Sequence, residues 1–211
     1  TVAHKAAIDI FHAAEIQQWG DCAIVSWDGC FGDQMSLLPY STTNRTPFFY
    51  INEDGKISDE TWALLVSGHF RKLLLLGSKD TFPDEIIESF RNRNIHATRI
   101  CEINASVANK YINEKFTIPS LEKSGKFVDT LIVSSTWHPF DSFNIGRYAI
   151  EHNAAMLLVD ANNLDSVASA IQYLETLNGS IEHLVFIGDE NQFNRVDKRL
   201  LMKAAALAQR H

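Results

Sequence analysis

Cysteine, proline and glycine are scarce in this 211-residue chain: three, five and ten respectively. With 45% hydrophobic residues beside them, that scarcity excludes collagen-like, low-complexity and disordered classes. No apolar run approaches the roughly 20 residues needed to span a bilayer. The cysteines, Cys22, Cys30 and Cys101, are odd in number and form no C-x-x-C pair. This argues against a disulfide-stapled scaffold, a zinc knuckle and a thioredoxin-type centre. Cys22 reads instead as a small buried hydrophobe in an apolar strand pattern. Positive charge is also in deficit, 19 Lys and Arg against 26 Asp and Glu, net −7. Both halves share it: nine against 14 over residues 1–103, ten against 12 over 104–211. Nucleic-acid binding requires a concentrated basic face and is not expected. Thr1-Val2-Ala3-His4 contains neither Met nor a charged-then-apolar leader, so the chain is expected to begin inside a longer sequence.

The chain does contain an internal repeat, which outranks local motifs as an organising signal. Asp21-Cys22-Ala23-Ile24-Val25-Ser26 matches Asp129-Thr130-Leu131-Ile132-Val133-Ser134 at an offset of 108. Without a gap, Asp33 then falls on Asp141, Tyr40 on Tyr148, and Phe48–Ile51 on Met156–Val159. Six identities occur over about thirty positions, where chance supplies roughly two. After a three-residue insertion the offset becomes 111: Leu73–Gly77 matches Leu184–Gly188, and Phe82 matches Phe193. Val2-Ala3 and Lys5 pair with Val107-Ala108 and Lys110 at an offset of 105. Two copies of one unit are expected, over residues 1–103 and 104–211.

Each copy alternates helix and strand. Residues 2–17 place Ala3, Ala7, Ile10 and Ala14 at helical spacing. Cys22–Ser26 is a short continuous apolar run, suited to a strand buried on both faces of a parallel sheet. A helix over about Asp33–Thr43 follows, then a strand at Pro47–Ile51, a helix capped by Ser58 and ending by Gly68, and a strand at Lys72–Leu76. A helix opening at Pro83 and a fourth strand over Ile95–Cys101 complete the copy. The second copy predicts helices from about Asn104, Phe140, Leu164 and Asn191, with strands at 129–134, 155–159 and 183–187. Lys115–Lys126, with Pro119 and Gly125, reads as a linking stretch. The expected class is α/β: two tandem Rossmann-like or Toprim-like repeats with mainly parallel sheets.

These segments resemble the cell-wall-binding repeat 2 family of Gram-positive surface proteins. The likeness lies in Ile24-Val25-Ser26 through Asp33, Phe48–Ile51, and Leu73–Gly77 with Phe82-Pro83-Asp84. In the second copy it lies in Ile132-Val133-Ser134 through Pro139-Phe140-Asp141, Leu157–Asp160 and Leu184–Gly188. Family units carry an arginine-containing motif before their first helix that Ile103-Asn104-Ala105-Ser106 lacks, and family modules have three copies where this chain shows two. The resemblance implies a noncatalytic module at the cell surface, attached noncovalently to an anionic cell-wall polymer, with no cofactor.

Asp33 and Asp141 share one position, at a helix start just after an apolar strand. A carboxylate there either satisfies exposed helix amides or serves as a metal ligand or general base, joined in the first copy by Asp28. Thr136 replaces Asp28 in the second copy, so such a metal site would not be shared. His138 lies in the loop Ser134-Ser135-Thr136-Trp137-His138-Pro139-Phe140, beyond a presumed strand end where α/β sheets bind ligands. It reads either as a base or cation near an anion, or as a ring packed beside Pro139. No Gly-x-Ser-x-Gly elbow surrounds the serines. Neither Gly77-Ser78-Lys79-Asp80 nor Asp28-Gly29-Cys30-Phe31-Gly32 has phosphate-loop spacing. An anion site is expected to use either a few arginines and helix N-termini, with Arg45, Arg99, Arg147 and Arg195 as candidates, or a bridging divalent cation. Trp19, Trp27 and Trp137, near loops, are candidates for stacking on a sugar. The expected site set is Asp28, Asp33, His138, Asp141 and Arg147. Two other readings stay open: an enzymatic or small-molecule-binding role for the 134–141 loop, and assembly into a homo-oligomer.

Overall fold

The computed structural model describes residues 18–27, 30–52, 54–135, 145–177, 179–188 and 191–208. The helix expected over residues 2–17 lies outside them. In chain order the elements are β1 (Cys22–Ser26), α1 (Phe31–Asn44), β2 (Phe48–Tyr50), α2 (Asp59–Leu65), β3 (Lys72–Leu76), α3 (Asp84–Arg91) and β4 (His96–Ile100). They continue with α4 (Ala105–Ile112), a π-helical turn (Asn113–Thr117), α5 (Ile118–Lys123), β5 (Thr130–Ser134) and α6 (Ile145–His152). Last come β6 (Ala155–Leu158), α7 (Leu164–Thr176), β7 (His183–Phe186) and α8 (Arg195–Ala208).

All strands run parallel, in one sheet ordered β2-β1-β3-β4 and another ordered β6-β5-β7. The α/β class is as expected. The two sheets repeat each other in register as well as in order. Ile24 opposes Phe48 as Ile132 opposes Met156, the offset of 108 on both sides of the ladder. Ile24 opposes Leu74 as Ile132 opposes Val185, with the partner shifted by 111. The strand entrances match too. Arg71 and Lys72 N–H both donate to the Asp21 carbonyl, and Glu182 and His183 N–H both donate to that of Asp129. Ile51 N–H donates to Ser26 O, and Val159 N–H to Ser134 O. Arg45 (φ 51°) and Asn153 (φ 49°), again 108 apart, both end their helices in the left-handed region.

The chain divides into two compact units. One takes the chain up to Cys30 together with Asn44–Cys101; the other takes Phe31–Thr43 together with Glu102 onward. Most of α1, which lies within residues 1–103, thus belongs to the second unit. In the first unit Ala23, Val25, Phe49, Leu73 and Leu75 bury one sheet face against Leu65, Phe70, Phe82 and Phe90. Each of these side chains larger than alanine contributes about 1.5–3 kcal/mol.

In the second unit alternation sends successive residues of a strand to opposite faces, and both faces are covered. Leu131, Val133, Ala155 and Leu157 pack with Val167, Leu174, Phe193 and Leu201. Ile132, Met156 and Leu158 pack with Met35, Ile145 and Ala149. This two-sided burial is why the strands read as continuous apolar runs.

Ser58 caps α2, its hydroxyl accepting from Thr61 N–H, and Asn104 caps α4, accepting from Val107 N–H at 3.0 Å. The linking stretch expected over Lys115–Lys126 is instead helical as far as Lys123. The π-helical turn carries α4 into α5, whose first turn holds Pro119. The Ile118 N–H reaches back to Asn113 O, so the helical run is continuous, and Pro119, which has no N–H to donate, follows directly on this widened turn; Gly125 (φ +72°) follows the helix.

Candidate functional site

In an open parallel sheet the strands' carboxyl ends and the helix N-termini beside them form the ligand-binding edge. In the second unit that edge brings together α1, α4, α7 and the ends of β5 and β6. Gly32 permits the approach of α1: a Cβ there would lie 2.7 Å from Ala105 Cβ and 3.6 Å from Leu158 Cδ1. Asp33, the next residue, occupies the first turn of α1. Its carboxylate accepts no hydrogen bond among the described residues, so it does not cap the helix. Burial, and then the Glu102 carboxylate, push its pKa from 3.8 up to about 6. Desolvation thus outweighs the favourable end of the helix dipole.

Small polar groups line the same edge. Ser134 and Ser135 are buried at the end of β5. The Asp160 N–H donates to Ser166 Oγ (2.9 Å), while Asp160 Oδ1 accepts from Asn162 N–H (3.1 Å). Asn163 caps α7 by accepting from Asp165 and Ser166 N–H, and Ser166 Oγ lies 3.4 Å from Ser106 Oγ. Behind this edge Asn109, on α4, is fully buried. Its amide donates to Ser36 Oγ and Met156 O, and its carbonyl accepts from Leu158 N–H. No three metal-ligating side chains cluster among the described residues.

Asp28, His138 and Asp141 lie outside the described residues, as does Trp137. Arg147 projects from α6, where its Nε donates to Glu151 Oε1 at 2.8 Å, one turn on. Both groups are largely exposed, as expected of a solvated helix pair. Of the other arginines, Arg99 pairs with Asp84 and donates to Phe82 O at 2.8 Å, while Lys79 holds the second Asp84 oxygen at 2.7 Å. Lys79 and then Arg99 hold the Asp84 carboxyl below the usual range. Trp27 is exposed at the end of β1, whereas Trp19 is partly buried. Sequence reasoning missed Glu102 and Asp160. Glu102 gains meaning only from Asp33, 69 positions away in sequence. The Asp160-x-x-Asn163 turn before α7 was the signal for the other.

Two bacterial cell wall proteins share this fold. Cwp6 from Clostridium difficile superposes with a TM-score of 0.74 at 15% identity, over 95% of this chain and 30% of that one. Cwp8 from the same organism does so with a TM-score of 0.70 at 15% identity, over 98% of this chain and 33% of its own. The chain thus spans about a third of the length of either protein. No family model matches the sequence, and no curated protein sequence matches it. Among the described residues no helix is long and apolar enough to cross a membrane.

Proposed function

We propose that this chain is a noncatalytic module of the cell surface that attaches to an anionic polymer of the Gram-positive wall. The observation that carries the reading is the likeness of fold to Cwp6 and Cwp8 over nearly the whole chain. The duplicated ladder agrees with it, since a repeated unit presents similar edges twice. The described carboxyl-end groups agree too: hydroxyls, capped helix starts and Asp33 form no nucleophile–base pair.

The test is co-sedimentation of the purified chain with Gram-positive walls, before and after chemical removal of their anionic polymers. Binding to intact walls and its loss after extraction are expected. Equal failure to bind either preparation overturns the reading.

A further inference from the structure

Helix α8 departs from its own duplicate. Its counterpart α3 follows the usual electrostatic rule, with Asp84 and Glu85 in the first turn at the positive end of the helix, and Glu88 after them. Phe82 aligns with Phe193 and Phe90 with Leu201, all four fully buried, so the register between the two helices is fixed by packing. On that register Asp84 becomes Arg195, Glu85 becomes Val196 and Glu88 becomes Arg199. Lys203 extends the line, so Arg195, Arg199 and Lys203 recur at i, i+4 and i+8 on one exposed face, about 6 Å apart along the axis. Val196, Leu200 and Met202 flank them, 65%, 43% and 58% exposed.

The single acid in α8, Asp197, is buried. Lys198 lies over the Phe186 ring, 5.7 Å from its centroid. The acids of neighbouring α7 are Asp165 and Glu175, and neither Arg199 nor Lys203 forms an ion pair among the described residues. The fold does not demand this charge, because α3 occupies the equivalent place with the opposite sign, and a chain of net −7 gains nothing in solubility from it.

We infer that the outer face of α8 is the surface that grips the anionic polymer. The cation row matches a chain of regularly spaced negative groups, and Val196, Leu200 and Met202 offer apolar contact to the C–H faces between them. This rests on the wall-binding reading above and names the surface for it.

The experiment titrates the 211-residue chain carrying Arg199→Ala with Lys203→Ala against purified Gram-positive walls at several salt concentrations. The unaltered chain and a control with Lys56→Ala and Lys126→Ala, both exposed, run beside it. The α8 variant is expected to bind about thirtyfold more weakly, with a salt dependence shallower by about two. The control should stay within about twofold, and all three proteins should melt alike. An α8 variant that binds as tightly as the unaltered chain, with the same salt slope, overturns the assignment while wall binding stands. An unaltered chain that ignores walls overturns both. Phosphatidylglycerol vesicles are the third arm: binding to these alone, lost in the α8 variant, would give the face to a membrane and overturn the polymer.

Discussion

Asp33 shows how one position changes meaning between sequence and structure. In sequence it is a carboxylate opening a helix, a favourable arrangement worth a few tenths to about 1 kcal/mol. In the fold, burial and Glu102 raise its pKa to about 6, so its ionised form is penalised. A carboxyl raised in the folded state contributes stability that is complete below its unfolded pKa and lost as pH rises through the folded one. Stability owed to Asp33 therefore falls between about pH 4 and 6. Asp33→Asn should melt like the unaltered chain near pH 4 and exceed it at pH 7.5 by up to about 3 kcal/mol, as read by urea denaturation. Parallel profiles across that range would refute the assignment. The sequence could show the carboxylate but not its surroundings, because Glu102 and the atoms that desolvate it are distant along the chain.

Edge strand β6 shows what long-range hydrogen bonding adds to an element. One side of it pairs with β5; on the other, Asn109 supplies an acceptor to Leu158 N–H and a donor to Met156 O, as a neighbouring strand would. Asn113 donates a second bond to Met156 O at 2.6 Å. Asn109→Ala orphans the buried Leu158 N–H and should cost up to about 3 kcal/mol. Ser58→Ala, which removes a half-buried cap, should cost about 1 kcal/mol. Chemical denaturation of both variants checks the ranking, and equal losses would contradict the strand-mimic role. The Ser58 cap and the helix start near Asn104 were legible in the sequence because a cap and its helix are adjacent. Asn109 was not, since its strand partners lie 47 and 49 residues away. The helical run through Asn113–Lys123 was hidden by Pro119, a helix breaker in general, which here follows directly on a π-helical turn.

For the molecule as a whole, the duplication was the most legible feature, down to offsets of 108 and 111 that recur in both ladders. Buried parallel strands tolerate few substitutions that change size or polarity, so their pattern outlasts the identities around it. The compact units were not legible. Nothing local in residues 31–43 reveals which sheet they cover, and in the fold Met35 closes a core with Ile132, Met156 and Leu158. Residues 104–211 alone should therefore expose that apolar face, bind a hydrophobic dye and melt without cooperativity. A sharp two-state melt of this fragment would show α1 to be dispensable. The polypeptide changes unit at Cys30–Phe31, at Thr43–Asn44 and at Cys101–Glu102. Recombination that cut cleanly between the copies would leave one gene fragment without a wall of its core and the other with a surplus helix. With one helix lent to the second core and none returned, the two copies are tied into a single heritable piece.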